Sequence, residues 1–198
     1  MRPQTDAAVD HLRETLVERR EVFSGRLLEV YVDRVRLPGG REVSREVVHH
    51  RGAVAVVALT DDGRVVLVRQ WRHAVGGALW EIPAGTRDRD GEDPAATARR
   101  ELAEETGLTA GRWRRLGEAG VSPGYSRELL TFYLAEDLAQ GSAATDDDET
   151  LDVLHAAPER VAELVLAGQT DCKTLAGLAL AGRLPDLTGP ALGGRGHG

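Results

Sequence analysis

Three glutamates near the middle of the chain have a spacing suited to metal binding. Glu101, Glu104 and Glu105 are spaced i, i+3, i+4, which places their carboxylates on one face of a helix. Such carboxylates repel one another, but a hard cation such as Mg2+ reverses the penalty because it binds carboxylates and shares its shell with substrate phosphates. Arg100 can hold the carboxylates in place. For the glutamates alone, a solvated acidic helix face is the simpler interpretation. The flanking residues therefore decide between that face and a metal site.

The flanking residues resemble the Nudix box: Gly, five residues, Glu, seven residues, Arg-Glu, an aliphatic, any residue, Glu-Glu, any residue, Gly, an aliphatic. One departure exists, since six residues rather than five separate Gly85 from Glu92. A similar expansion occurs among ADP-ribose pyrophosphatases, and it lengthens the loop while leaving the helix intact. The matching residues are Glu92, Arg100, Glu101, Leu102, Glu104, Glu105, Gly107 and Leu108.

The resemblance to ADP-ribose pyrophosphatases extends from roughly residue 20 to residue 182. In that family a proline about fifteen residues past the box marks a preference for ADP-ribose, and Pro123 lies fifteen residues after Leu108. Tyr125 lies seventeen residues after Leu108, and a tyrosine near there is associated with hydrolases of diadenosine polyphosphates. The segments that resemble the family are 69–72, 80–85, 122–126 and 171–175.

The resemblance implies a set of site residues. The metal ligands would be Glu101, Glu104, Glu105 and the backbone carbonyl of Ala84, with Mg2+ as the cofactor and Mn2+ as a possible substitute. The predicted catalytic residues are Glu149, Glu104 and Arg100, and the predicted substrate-binding residues are Arg72, Glu81, Pro123 and Ser126.

Some of these residues have a second interpretation. The guanidinium fork of Arg72 suits diphosphate oxygens, although an ordinary surface arginine is the alternative. Glu81 either orients the ribose or simply pairs with Arg72. Glu149 ends an acidic run, 146–149, that leads into an apolar alternation, and it best matches the mobile loop that supplies the base in related pyrophosphatases. Acidic runs are otherwise solvated loop tips.

Three functions are compatible with these motifs. The first is hydrolysis of the diphosphate of ADP-ribose, or a related ADP-sugar, to AMP and ribose 5-phosphate. The second is a Nudix hydrolase for another nucleotide, such as a diadenosine polyphosphate. The third is a non-catalytic module that senses ADP-ribose, but such modules tend to lose box carboxylates and this chain keeps them.

The order of predicted elements indicates an α+β fold, which in Nudix proteins is a mixed sheet and a second sheet between helices. Alternation over 21–51 with a turn at 38–40 predicts a hairpin, preceded by a polar, helical or frayed segment. The sequence further predicts a strand over 53–60, a turn at 61–63 and a hairpin partner over 64–70. Later elements are a helix over 93–107, strands over 113–118 and 129–135, and helices over 158–167 and 171–181.

Three regions are expected along the chain: 1–51 as an N-terminal strand region, 52–184 as the Nudix domain and 185–198 as a loose tail. The family resemblance implies a homodimer in which the strand region completes the partner's substrate pocket.

Composition narrows the function classes. The 198 residues carry a net charge of -7, with 41% hydrophobic and 29% charged residues, so nucleic-acid binding is not expected. The longest apolar run, 53–59, is too short to cross a bilayer. Cys172 is the only cysteine, and the N-terminus lacks the apolar core of a signal peptide. These features favour a cytoplasmic enzyme.

Overall fold

The computed structural model describes residues 7–87, 91–141 and 151–187. The chain forms two compact units. The first unit takes in residues 1–53, 86–92 and 118–131, so it combines the N-terminal strand region with two later segments. The second unit takes in residues 54–85, 93–117 and 132–198.

The first unit is built on a three-stranded antiparallel sheet in the order β1-β2-β3. A short 3-10 helix (Ala7–Leu12) precedes β1 (Thr15–Ser24), β2 (Leu28–Arg36) and β3 (Glu42–His50). The turn between β2 and β3 includes Gly40 at φ 83°, which a glycine adopts without strain, and the predicted hairpin is confirmed. The polar start of the chain was predicted as helical or frayed, but β1 already begins at Thr15. Almost all of β1 is exposed, so no apolar alternation marks it.

Two further sheets have most of their residues in the second unit. One has the order β10-β5-β6 and is antiparallel, and the other has the order β7-β4-β9-β8. The strands are β4 (Ala53–Ala58), β5 (Val65–Arg72), β6 (Gly77–Glu81), β7 (Ala84–Thr86), β8 (Leu108–Gly120), β9 (Leu129–Gln140) and β10 (Asp152–Ala156).

The predicted hairpin between β4 and β5 is wrong. In the described part of the chain, an isolated antiparallel bridge between Leu59 and Val65 closes the turn, but β4 and β5 themselves belong to different sheets. The sequence could not separate these arrangements, because β4 and the first half of β5 are both fully buried and read as continuous apolar runs.

The helices lie where the sequence predicts them: α1 (Pro94–Thr106), α2 (Pro158–Leu166) and α3 (Cys172–Leu180). Pro94 suits the first turn of α1, where its missing N–H would have no partner in the helix. Gly107 ends α1 in the left-handed region, at φ 69°, and its N–H donates to the carbonyl of Ala103. Within the described residues, no helix is both long and apolar enough to cross a membrane.

The core of the second unit explains why β4 is buried along its whole length. Val54 and Val56 pack in one cluster with Ala98 and Leu102 of α1. Gly177 of α3 lies so close to the core that a Cβ there would stand 2.6 Å from Cδ1 of Ile82 and 3.1 Å from Cγ2 of Val57. Alternate side chains of β4 point to opposite faces of its sheet, so Val54 and Val56 pack against α1 while Val57 packs against α3. The predicted α+β class is confirmed.

Candidate active site

The α1 helix positions two of the three predicted metal-binding glutamates around one arginine. Nη1 of Arg100 lies 2.9 Å from Oε1 of Glu101 and 2.7 Å from Oε2 of Glu104. All three side chains are partly buried, with relative exposures of 18% for Arg100, 12% for Glu101 and 27% for Glu104. The two carboxylates thus converge on a single positive charge.

The third glutamate of the helix faces strand β7. Glu105 is 7% exposed, and its Oε2 accepts a hydrogen bond of 3.0 Å from the backbone N–H of Ala84. A buried carboxylate needs such a donor to offset the loss of water. The bond therefore fixes the end of α1 against the strand whose carbonyl at Ala84 is a predicted metal ligand.

Gly85 allows this close approach of α1 and β7. A Cβ at Gly85 would stand 2.0 Å from Cδ of Glu101 and 2.2 Å from both of its carboxylate oxygens. Any side chain there would displace the carboxylate. Glycine is therefore required for Glu101 to lie directly over the strand.

A second cluster of charges surrounds Glu81 at the end of β6. Arg72 binds Glu81 through a bidentate pair of hydrogen bonds, Nε to Oε1 at 2.7 Å and Nη2 to Oε2 at 2.6 Å. Nζ of Lys173 also donates to Oε2 of Glu81, and it donates to Asp171 at 2.8 Å. Glu81 is only 2% exposed, so two cations enclose a carboxylate that water scarcely reaches.

The electrostatics of this cluster follow from its geometry. Burial alone would raise the pKa of Glu81, but the hydrogen bonds from Arg72 and the charge of Lys173 outweigh burial and hold that pKa below its usual range. The hydrogen bonds to Glu81 raise the pKa of Arg72, and the charge of Glu105 adds to this effect. The carboxylate of Glu105 on α1 therefore lies near enough to Arg72 for its charge to stabilise the guanidinium.

Comparison with known proteins decides the family. A model of the NUDIX domain matches residues 49–170, more than half of the chain. The chain belongs to the Nudix family.

Individual Nudix proteins resemble this chain over most of its length. The ADP-ribose pyrophosphatase of Bacillus subtilis (strain 168) is 39% identical over 166 residues, which cover 82% of this chain and 89% of the relative. The ADP-ribose pyrophosphatase of Mycobacterium tuberculosis (strain ATCC 25618 / H37Rv) is 45% identical over 131 residues, 66% of this chain and 63% of the relative. A crystal structure of an ADP compounds hydrolase, at 23% identity, supports the fold: its TM-score is 0.75, over 86% of this chain and 93% of that one.

The Nudix glutamates fit a cation, although they are not gathered into a complete ligand set. Among the residues that the structure describes, no three carboxylate, imidazole or thiol side chains lie close enough to hold one metal ion. Glu101 and Glu104 already converge on the guanidinium of Arg100, whereas Glu105 is held by Ala84. The donors are hard oxygens of the kind that Mg2+ prefers. The predicted three-carboxylate metal site stays a prediction.

Two of the remaining predicted site residues belong to the first unit. Pro123 and Ser126 belong to a tight loop of the first unit, in which the N–H groups of Tyr125 and Ser126 both donate to the carbonyl of Ser122. Glu149 lies outside the described residues.

The sequence alone predicts no role for Lys173, although residues 171–175 resemble the family. Lys173 and Glu81 are 92 positions apart, and periodicity carries no information on such a pair. A local signal for the position of Lys173 is the helix cap. Asp171 caps α3 by accepting the N–H of Thr174 at 3.0 Å, and this cap places Lys173 in the first turn of the helix.

Replacing Glu81 tests the cluster. Glu81→Gln should lower the free energy of unfolding at pH 7 by about 3 kcal/mol, because two cations would then surround a buried neutral amide. The folded-state pKa of Glu81 lies below its unfolded value of about 4.3, so the stabilisation is present above that value and is lost as the pH falls through the folded-state pKa.

Urea unfolding of wild type and Glu81→Gln between pH 3 and pH 7, roughly the range over which carboxylates titrate, measures this difference. The gap in unfolding free energy should be widest at neutral pH and should narrow in acid. Glu163→Gln is the matched control, because Glu163 forms an exposed helical pair with Arg160. A gap that does not change with pH would contradict the interpretation.

Proposed function

We propose that this Nudix enzyme hydrolyses the diphosphate of ADP-ribose, or of related ADP-sugars, to AMP and ribose 5-phosphate. The observation that carries the proposal is the arrangement of Glu101, Glu104 and Glu105 on α1, fixed against Ala84 and Gly85. The similarity to two ADP-ribose pyrophosphatases over long stretches of sequence supports the substrate. Pro123, fifteen residues after Leu108, agrees with it.

We propose Mg2+ as the cofactor, with Mn2+ as a substitute, held by Glu101, Glu104, Glu105 and the carbonyl of Ala84. When bound, a divalent cation neutralises phosphate oxygens and makes a water more acidic. The residues of this chain orient the ligands: Arg100 spaces Glu101 and Glu104, and the N–H of Ala84 holds Glu105. Arg100 thereby acts on the reaction through the carboxylates that it positions.

Arg72 is proposed to bind the diphosphate. Its Nε and Nη2 are used by Glu81, which fixes the plane of the guanidinium, and 40% of the side chain remains exposed. Nη1 would donate to a phosphate oxygen, since a guanidinium held in one orientation binds oxyanions well. Glu81 would then act mainly through Arg72, because its own oxygens are occupied and it is buried.

The water that attacks the phosphorus needs a base, and we propose Glu149 for that role. The carboxylate of Glu149 would accept a proton from the attacking water. Pro123 and Ser126 would contact the substrate from the loop after the Nudix box.

A diadenosine polyphosphate is the second candidate substrate. Tyr125, seventeen residues after Leu108, favours it. This tyrosine is 58% exposed, so a nucleobase of the substrate could stack on its ring. The two candidates therefore require a direct comparison.

A substrate panel tests the proposal. ADP-ribose, an ADP-hexose, GDP-mannose and a diadenosine polyphosphate would each be incubated with enzyme and Mg2+ or Mn2+, and the released nucleotides separated by chromatography. We expect the highest kcat/KM for ADP-ribose, with AMP and ribose 5-phosphate in equal amounts. A higher kcat/KM for the dinucleotide, or release of adenosine or inorganic phosphate from ADP-ribose, would overturn the assignment.

We also propose a homodimer formed through the sheet of the first unit. Strand β1 lies at the edge of that sheet and exposes almost its whole length, including Leu16 and Phe23. An edge strand with exposed apolar side chains favours association with another chain.

Phe23→Asp should shift a dimeric wild type towards monomers, because it places a charge in the proposed interface. Sedimentation velocity over a dilution series measures the shift, and Val75→Asp, at an exposed apolar position of the second unit, is the control. A wild type that sediments as a fully active monomer at nanomolar concentration would contradict the dimer.

A cytoplasmic location is proposed as well. The chain has a single cysteine, Cys172, which is exposed. A lone exposed thiol suits a reducing compartment, because it is stable there as the free thiol. Fractionation of cells with an antibody against the chain would test this location.

A further inference from the structure

The first unit contains a cavity of about 320 Å³ that shares no residue with the glutamates of α1 or with the cluster at Glu81. It is formed where β3 ends and β9 begins, together with the end of β8 and the residue after β7. Among the described residues, its charged and ionisable lining consists of three arginines, two histidines and one glutamate: Arg51, Arg87, Arg127, His49, His50 and Glu118.

The described part of this lining has a net positive charge, because it contains three arginines and one glutamate. His49 adds no positive charge at neutral pH, because burial, followed by the charges of Arg127 and Arg19, lowers its pKa below the usual range. Nη1 of Arg127 lies 3.1 Å from Nε2 of His49, and a neutral imidazole can accept that hydrogen bond. This contact with a neutral imidazole does not offset the positive charge of Arg127.

Arg87 is held at the wall by its backbone and by one weak contact. Its N–H donates to the carbonyl of Gly52 at 3.1 Å, and its Nη2 lies 3.3 Å from the carbonyl of Glu92. The Nε–H of Arg87 is buried, and within the described part of the chain it has no hydrogen-bond acceptor. Buried donors without acceptors are rare in folded proteins, so an acceptor from a ligand would complete this arrangement.

We propose that this cavity is a second anion site, which binds the phosphate group of a phosphate monoester. Three guanidinium groups suit a phosphate better than a carboxylate, because a phosphate dianion with three terminal oxygens can accept hydrogen bonds from several guanidinium groups at once. The volume lies at the lower end of the range for small-ligand sites, which leaves room for a sugar-sized substituent. The site shares no residue with the proposed hydrolytic centre, and it does not depend on the proposed reaction.

Calorimetric titration of the full chain with inorganic phosphate and with ribose 5-phosphate, in EDTA, tests the site without a contribution from metal ions. Wild type is compared with Arg87→Gln and Arg51→Gln. The controls are Arg64→Gln, at an exposed arginine paired with Asp62 in the second unit, and Glu104→Gln in the Nudix helix. Thermal unfolding verifies that each variant is folded.

We expect saturable binding by wild type. Arg87→Gln or Arg51→Gln should weaken the affinity at least about tenfold, since the loss of one hydrogen bond to a charged group lowers affinity by about that factor. Arg64→Gln and Glu104→Gln should bind like wild type, and acetate should bind at least about tenfold more weakly than phosphate. If Arg87→Gln does not fold, Arg51→Gln decides.

Three results would overturn the site: no saturable binding up to about 10 mM phosphate, equal binding by wild type and the cavity variants, or loss of binding in Glu104→Gln. Since the titration contains no metal and measures no turnover, failure of this site leaves the hydrolysis of ADP-ribose untouched. A chain that fails to hydrolyse ADP-ribose could equally still bind phosphate in the first unit.

Discussion

Glu104→Gln is expected to lower kcat about a thousandfold, a loss of about 4 kcal/mol in transition-state stabilisation, which is within what a catalytic metal ion supplies. Glutamine has the same shape but binds a divalent cation poorly. Stability should change little, because Arg100 keeps its contact with Glu101 and the pair with Glu104 is a partly exposed helical one. Steady-state kinetics with ADP-ribose at saturating Mg2+, beside urea unfolding, separates the two effects.

Glu163→Gln is the matched control for this experiment, since Glu163 is also a helical glutamate paired with an arginine but lies on α2. It should leave kcat unchanged. If Glu104→Gln retained near-normal turnover, the metal site would have to use other ligands, and the functional interpretation of the Nudix helix would be wrong.

Glu149→Gln is expected to lower kcat by roughly a hundred- to ten-thousandfold while KM stays near its wild-type value, because a general base acts in the chemical step rather than in binding. Glu149 is the member of the acidic run nearest to β10, whose first residue is Asp152. Its place next to this strand in the sequence is the reason for choosing it over its neighbours. The prediction rests on the sequence, since Glu149 lies outside the described residues.

Asp147→Asn is the comparison variant for the base. It removes a carboxylate from the same acidic run, so a purely electrostatic contribution of the loop would affect both variants alike. We expect a much smaller loss of kcat for Asp147→Asn than for Glu149→Gln. A silent Glu149→Gln beside a large loss at Asp147 or Asp148 would assign the role to the neighbour.

The sequence by itself determined the elements whose signals are local. The α1 helix was predictable because Pro94 and Gly107 act on their own turns, and because the glutamates on its face follow the helical period. The α2 and α3 helices and the hairpin of β2 and β3 were predictable for the same reason. The Nudix family could also be predicted, since its box is one continuous segment.

The tertiary structure decided how distant residues combine. It showed that β4 and β5 belong to different sheets, because both are buried runs that carry no alternation to specify a partner. It enclosed Glu81 between Arg72 and Lys173, and it turned Glu105 towards Ala84. Such contacts depend on packing between elements far apart in sequence, and the hydrophobic period of a single segment does not encode them.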